Sequence, residues 1–230
     1  MKTIWILGWM SRESTQSYYK NINEWIRARL WWLHSAEIIL HSVDFQMIEE
    51  LQHQWNRKEL TKIMIANAQR IEHALADFLV IATNTMHKTA EAVAASINIP
   101  LLHIADPTAQ EIQKSNIQTI WLLGTKFTME QEFYAGRLEK QWIKVIIPSQ
   151  KDREIVHNVI YNELCLGNIQ ESSKDAYISI INNLELAWAQ GIVLWCTEIG
   201  LLIQQKDTSI PLFDTTQIHT SAIVDYALSK

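Results

Sequence analysis

An ordered internal repeat constrains the fold of this 230-residue chain more than any other feature. Three landmarks recur in the same order, at offsets of 116, 113 and 111 residues: Gly8 and Gly124, Thr83 and Cys196, Pro100 and Pro211. Each match alone is weak, because strand–glycine–helix units are common. Their shared order is much stronger, and it predicts two similar halves related by pseudo-two-fold symmetry, with a cleft between them.

Within each half, apolar β-branched runs alternate with stretches of helical period. The runs predict strands at 3–8, 37–43, 77–82, 100–103, 118–123, 143–147, 191–195 and 211–213. The periodic stretches predict helices near 13–29, 46–52, 57–75, 87–96, 108–115, 129–140, 151–165, 172–189 and 217–228. Such alternation favours mostly parallel sheets covered by helices. We therefore expect an α/β fold of two similar doubly wound parallel-sheet domains, residues 1–105 with 214–230 and residues 106–213, with the active site in the cleft.

Composition excludes several functional classes. A formal net charge of −5 disfavours a protein that binds nucleic-acid backbones, which needs a basic surface. No apolar run approaches the length of a membrane span, and the apolar N-terminal stretch is typical of a buried strand rather than of a signal peptide. Two cysteines without metal-type spacing, Cys165 and Cys196, fit a reduced, cytoplasmic protein. Cys165 is interpreted as a packing residue.

Two apolar runs, 78–82 and 191–195, each end at a small polar cluster, where strands of α/β sheets end and ligands bind. Thr83 and Cys196 occupy matching places in these clusters. A cysteine suits the role of a base, and a helix starting after Cys196 would favour its thiolate. A threonine hydroxyl is a far weaker acid, but it can donate or relay a proton or stabilise an oxyanion. The simpler alternatives are an inert core cysteine and a hydrogen-bonding threonine at a strand end.

Short motifs distributed over the whole chain form a specific combination. They lie at 10–14, 33–36, 41–45, 82–87 (ATNTMH), 102–106, 127–131, 163–167, 196–200 (CTEIG) and 213–215. Together they resemble the aspartate/glutamate racemase family. The resemblance implies two α/β domains, a cleft site and racemisation of a small amino acid without pyridoxal phosphate, any other cofactor or a metal. It implies no nucleic-acid or membrane partner and leaves a homodimer open.

The resemblance also implies roles for individual residues. Thr83 and Cys196 would exchange the Cα proton from opposite faces. Substrate contacts would come from Met10, Ser11, Gln52, Asn84, Thr85, Thr197 and Glu198, with Gln52 at the distal carboxylate and Glu198 at the amino group. The alternatives are helix capping for Ser11, Asn84 and Thr197 and a solvated surface position for Gln52. His87 could tune Thr83 or the ligand, whereas His103 and His219 are interpreted as structural.

Two departures from the family pattern affect the expected function. Most members carry a cysteine where this chain has Thr83, which leaves symmetric, two-way turnover open, and Arg12 stands where tryptophan is usual. An enzyme resembling arylmalonate decarboxylase, which would use Cys196 alone, is therefore a second hypothesis. A non-catalytic protein that binds small acids is a third.

Tryptophan usage is the remaining anomaly, with ten tryptophans and six glycines. By the family pattern, glycine is expected at every tryptophan position: Trp5, Trp9, Trp25, Trp31, Trp32, Trp55, Trp121, Trp142, Trp188 and Trp195. Ten independent changes to one residue type are implausible. Our hypothesis is that UGA codons meaning glycine in the source have been translated as tryptophan. The alternative is a tryptophan-rich core.

Overall fold

The computed structural model describes residues 1–8, 12–72 and 75–229, with the backbone alone described for Ile71, Glu132 and Phe133. The chain forms two compact units, Met1–Ile104 with His219–Lys230 and Ala105–Ile218. The limits of the two domains given above, 1–105 with 214–230 and 106–213, stay a prediction.

The first unit contains a four-stranded parallel sheet in the order β2-β1-β3-β4. Its strands are β1 (Ile4–Gly8), β2 (Ile38–Ser42), β3 (Phe78–Ile81) and β4 (Leu101–Leu102). Its helices are α1 (Arg12–Leu30), α2 (Phe45–His53), α3 (Arg57–Glu72) and α4 (Ala90–Ala94), preceded by a 3-10 turn over Thr85–Thr89. The two central strands are buried along their whole length, because helices cover both faces of the sheet.

The second unit repeats this arrangement, in the order β6-β5-β7-β8. Its strands are β5 (Thr119–Leu123), β6 (Lys144–Ile146), β7 (Ile192–Leu194) and β8 (Leu212–Asp214). Its helices are α5 (Ala105–Lys114), α6 (Lys126–Met129), α7 (Glu132–Glu139), α8 (Gln150–Asn162), α9 (Glu171–Leu186) and α10 (Ile199–Leu202). Further 3-10 turns span Leu164–Leu166 and Gln205–Asp207, and the last helix, α11 (Thr215–Leu228), returns the chain to the first unit.

The shared strand order confirms the predicted α/β class with two parallel sheets. All eight predicted strands are present, each shifted by a residue or two at its ends. In both units the third strand along the chain lies inside the sheet, next to the first. Thr83 follows β3 and Cys196 follows β7, so the two residues occupy equivalent positions in the two topologies.

Several helices end at a tryptophan in the left-handed backbone conformation. The φ angles of Trp55, Trp142 and Trp188 are 55°, 65° and 66°, and Trp31 and Trp32 also have positive φ. After α7, Trp142 N–H donates to Glu139 O and Ile143 N–H donates to Leu138 O. This pair of bonds is the Schellman motif, whose left-handed residue is usually glycine. The same pair of bonds closes α2 at Trp55 and α9 at Trp188.

These helix-ending tryptophans contribute little packing, since Trp142 and Trp188 are 91% and 89% exposed. A left-handed conformation costs a residue with a Cβ about 1–2 kcal/mol. The alternative of a tryptophan-rich core is therefore wrong for these positions. The glycine hypothesis predicts this backbone geometry.

Buried tryptophans show a different conflict. The indole N–H groups of Trp5, Trp121 and Trp195 are buried without an acceptor among the described residues. The ring centroids of Trp195 and Tyr134 lie 2.9 Å apart, whereas packed aromatic pairs keep roughly 4.5–7 Å. Position 195 therefore has room for a smaller side chain. Trp25, which stacks with Arg29 in α1, shows neither conflict.

Candidate functional site

In the first unit, the candidate residues follow β3 directly. Ala82 N–H still donates to Leu7 O of the neighbouring strand, at 3.0 Å, and Ser14 Oγ donates to Ala82 O at 2.9 Å. Thr83, Asn84 and Thr85 come next, and each is 3% exposed. The chain leaves the sheet here and enters the 3-10 turn, so three polar side chains are buried at the carboxyl edge of the sheet.

Helix α2 adds Gln52 to this edge. Gln52 is 3% exposed, and its Nε2 donates to Met86 Sδ at 3.5 Å, within the turn after Thr83. The surface alternative for Gln52 is therefore wrong. The capping alternative for Asn84 is also wrong, because its side chain makes no capping hydrogen bond to the turn. Met10 and Ser11 lie outside the described residues.

In the second unit, Cys196, Thr197 and Glu198 follow β7 in the same way. Cys196 is half-buried, and its Sγ donates to Glu198 Oε2 at 2.9 Å. Thr197 Oγ1 donates to the same oxygen at 2.7 Å, and the residue at the N-cap of α10 is Glu198 rather than Thr197. Glu198 is 2% exposed. The structure thus brings Cys196 and Thr197 together on one buried carboxylate oxygen.

The electrostatics of Cys196 correct one sequence-based expectation. Burial, followed by the Glu198 carboxylate and Cys165, raises the pKa of the Cys196 thiol well above its usual value. We expected a helix start to favour the thiolate, but α10 has only four residues and a carboxylate lies at its entrance. The resting form of Cys196 is therefore the thiol, and Glu198 is placed to accept its proton.

The remaining candidates lie where the sequence suggested. Cys165 packs against the core of the second unit. His219 is fully buried, accepts from Tyr18 Oη at Nδ1 (2.8 Å) and pairs with Leu102 O through Nε2 (3.2 Å), as expected for a structural histidine. Its pKa is lowered to about 3, first by burial and then by His87.

Two further contacts hold main-chain carbonyls at this strand end. Ser14 holds the carbonyl of Ala82, and the ring of His87 holds that of Thr83, with 2.7 Å between Nδ1 and the oxygen. The sequence suggested an effect of His87 on Thr83, four residues before it, but it did not suggest the contact of Ser14, which lies far away in sequence.

Residues 1–8, 12–72 and 75–229 contain neither a metal site nor a membrane span. No group of His, Cys, Asp and Glu side chains there could hold a metal ion. Within the same ranges, no helix is long and apolar enough to cross a bilayer.

Comparisons with known proteins agree with this geometry. The Asp/Glu/hydantoin racemase family model matches residues 7–223. The fold superimposes with a TM-score of 0.92 on a Yersinia pestis protein assigned to the Asp/Glu racemases, at 51% identity over 100% of both chains. An aspartate racemase homologue from Pyrococcus horikoshii gives 0.86, at 33% identity over 100% of both chains. A broad-specificity amino-acid racemase of Bacillus subtilis is 22% identical over 69% of this chain and 68% of its own length. This chain therefore belongs to the Asp/Glu/hydantoin racemase family.

Proposed function

We propose that this racemase moves the Cα proton of aspartate or glutamate with its own side chains, Cys196 and Thr83, and without a cofactor. One observation carries the proposal: Cys196 Sγ lies 2.9 Å from a buried carboxylate oxygen, at the strand end equivalent to that of Thr83. A thiol beside a proton acceptor can become a base when it is needed. Thr83 and Cys196 are therefore the proposed catalytic residues.

The proposed proton transfers return every catalytic group to its starting protonation state. Cys196 first transfers its thiol proton to Glu198, and the resulting thiolate removes the proton from Cα. The Thr83 hydroxyl then protonates the carbanion on its other face. Thr83 regains a proton from solvent while Glu198 releases one, so the enzyme returns to its starting state.

Substrate binding needs donors for two carboxylates and an acceptor for an ammonium group. The proposed donors to the α-carboxylate are Asn84, Thr85 and Thr197, together with Met10 and Ser11 of the first loop. Gln52 is the proposed contact to the distal carboxylate, supported by its burial beside Met86. Glu198 is proposed to orient the amino group as well as to accept the thiol proton.

Hydrogen–deuterium exchange at Cα tests this function. The protein is produced with the amino acid that the source organism incorporates at each of the ten tryptophan positions. It is then incubated in D₂O with each enantiomer of aspartate and of glutamate. We expect one enantiomer to lose its Cα proton much faster, because a thiolate is a far better base than a threonine hydroxyl. The equilibrium amounts of the two forms stay equal, so the bias appears in rates alone. Equal exchange rates for both enantiomers would contradict the assignment.

Three variants identify the carriers. Cys196→Ala should lower exchange by roughly 10²–10⁴-fold, the usual contribution of a positioned acid or base. Thr83→Cys should raise activity toward the slow enantiomer, because it supplies a second thiol. Cys165→Ala is the matched control and should retain activity, since Cys165 packs against the core. Full activity in Cys196→Ala would rule out the mechanism, and release of carbon dioxide from a malonate would favour a decarboxylase.

The cellular setting follows from the same chemistry. We propose a cytoplasmic enzyme, because Cys196 must stay reduced to carry a proton. We also propose that the protein assembles as a homodimer. Light scattering would measure the mass of the purified protein, and a monomeric mass across the working concentration range would contradict the dimer.

A further inference from the structure

The carbonyl of Thr83 is held by a side chain. Strand β3 ends at Ile81, and just beyond it Ala82 N–H donates to Leu7 O of β1. Thr83 O accepts a hydrogen bond from His87 Nδ1 at 2.7 Å. The peptide that follows Thr83 therefore takes its orientation from the ring of His87.

The hydrogen bond at the second ring nitrogen, Nε2, shows which nitrogen of His87 carries the hydrogen. Ile104 N–H donates to His87 Nε2 at 3.3 Å, so Nε2 carries a lone pair and Nδ1 carries the hydrogen. The ring thus joins the segment after β3 to the segment after its neighbour β4. A positively charged His87 could not keep both bonds, because Nε2 would then be a donor facing another donor.

The surroundings of His87 fix its ring in place. His87 is 4% exposed, and its centroid lies 4.5 Å from that of His103 and 6.1 Å from that of His219. His219 is itself anchored through both of its ring nitrogens to Tyr18 and to Leu102 O. The two hydrogen bonds of His87 itself, with Thr83 O and Ile104 N–H, oppose rotation of its ring.

We propose that His87 is a positioning residue: by holding the carbonyl of Thr83, it directs the Thr83 hydroxyl toward Cα. This inference rests on the proposed role of Thr83 as a proton carrier. His87 is bonded to the main-chain carbonyl of Thr83 and would act on the hydroxyl through that peptide. Its effect should therefore be confined to proton delivery on the Thr83 face, and the Cys196 step should be spared.

The sharpest test measures how the carbanion partitions in D₂O. After Cys196 removes the proton, its thiol exchanges with D₂O. Deuterium can then return on the same face or arrive from the Thr83 side to give the mirror-image product. In His87→Leu, the ratio of same-face return to inversion should rise roughly ten- to a hundred-fold, as small misplacements of reacting groups do. His87→Gln, which supplies one donor and one acceptor, should recover much of the native ratio.

His219→Leu is the matched control. It also removes a buried ring with two hydrogen bonds from the same cluster, but neither bond reaches Thr83. We expect it to lower stability while leaving the partition ratio close to native. An unchanged ratio in His87→Leu, or an equal rise in His219→Leu, would overturn the positioning role. If the native protein does not catalyse exchange of the Cα hydrogen of any amino acid, the proposed function fails, and this inference fails with it.

A spectroscopic measurement tests the geometry without turnover. The ¹⁵N shifts of the His87 ring in the intact protein should report a neutral imidazole with its hydrogen on Nδ1. That tautomer should persist with or without aspartate. A hydrogen on Nε2, or a charged ring at neutral pH, would mean that the two bonds described here are not those that hold Thr83.

Discussion

At the scale of single residues, the two proposed carriers are controlled by different neighbours. The Cys196 thiol donates a hydrogen bond to a carboxylate, and the carbonyl of Thr83 is bonded to a buried imidazole. Burial, followed by the Glu198 carboxylate, raises the pKa of a thiol that must act as a base. The thiolate is thus scarce at rest, which protects it from alkylation and oxidation until substrate enters.

The pH dependence of alkylation tests this state of the thiol. Modification of Cys196 by iodoacetamide should follow the thiolate fraction and reach half its limit well above the usual thiol pKa. Glu198→Gln removes a negative charge, so the inflection of Cys196 alkylation should move to lower pH. Making both proteins with Cys165→Ser leaves one thiol to follow. Identical inflections would show that Glu198 does not control Cys196.

At the scale of elements, the ends of helices hold the clearest anomaly. A Schellman motif asks for a residue that enters the left-handed region without cost, and Trp55, Trp142 and Trp188 occupy that place. Each side chain is largely exposed and gains little in return. The backbone at these three positions thus has the conformation that favours glycine, although the sequence has tryptophan there.

Replacing one of these tryptophans should stabilise the protein. Trp188→Gly is expected to raise stability by about 1 kcal/mol, or roughly 2–4 °C in Tm for a chain of this size. Leu186→Gly is the matched control, because Leu186 is also exposed but ends α9 with helical geometry. It should lower stability by about 0.5–1 kcal/mol. Thermal unfolding measures the Tm of both variants, and a lower Tm in Trp188→Gly would contradict the glycine hypothesis.

Strands were easier to predict than helix boundaries. All eight predicted strands are present, and β1, β3 and β7 are buried, continuous apolar runs of the kind that is easiest to recognise. The predicted helix at 129–140 begins three residues later, as α7, and the short helices α6 and α10 were missed because four residues carry no helical period. At the site, the sequence identified the strand-end residues. It could not show that Glu198 folds back onto Cys196, because that contact depends on side-chain rotamers.

At the scale of the whole molecule, the C-terminal helix determines part of the stability of the first unit. α11 returns His219 to a fully buried position between Tyr18 and Leu102 O. The pKa of His219 is about 3 in the folded protein and near 6.5 in an unfolded chain. The unfolded state therefore binds more protons between these values, so this contribution to stability is complete above pH 6.5 and declines as the pH falls toward 3.

Acid denaturation tests this contribution. His219 alone should reduce the free energy of unfolding by about 2 kcal/mol between pH 7 and pH 5. His219→Gln retains a donor and an acceptor but cannot gain a charge in this range. The free energy of unfolding of this variant should therefore fall by correspondingly less. Urea titrations of both proteins at the two pH values give the comparison. Equal losses would show that His219 does not cause the acid sensitivity.

The left-handed helix ends have a consequence for how this gene can be read. If all ten tryptophan codons are UGA, that of Trp5 as well as those of the helix ends, a host that uses the standard code treats each of them as a stop signal. Translation would then end after Ile4, at the codon for residue 5, inside the first strand. Cloning the natural gene into a common laboratory bacterium would yield a tetrapeptide, and only a synthetic gene with reassigned codons would yield an enzyme. The same barrier would keep the gene from functioning in any recipient that uses the standard code.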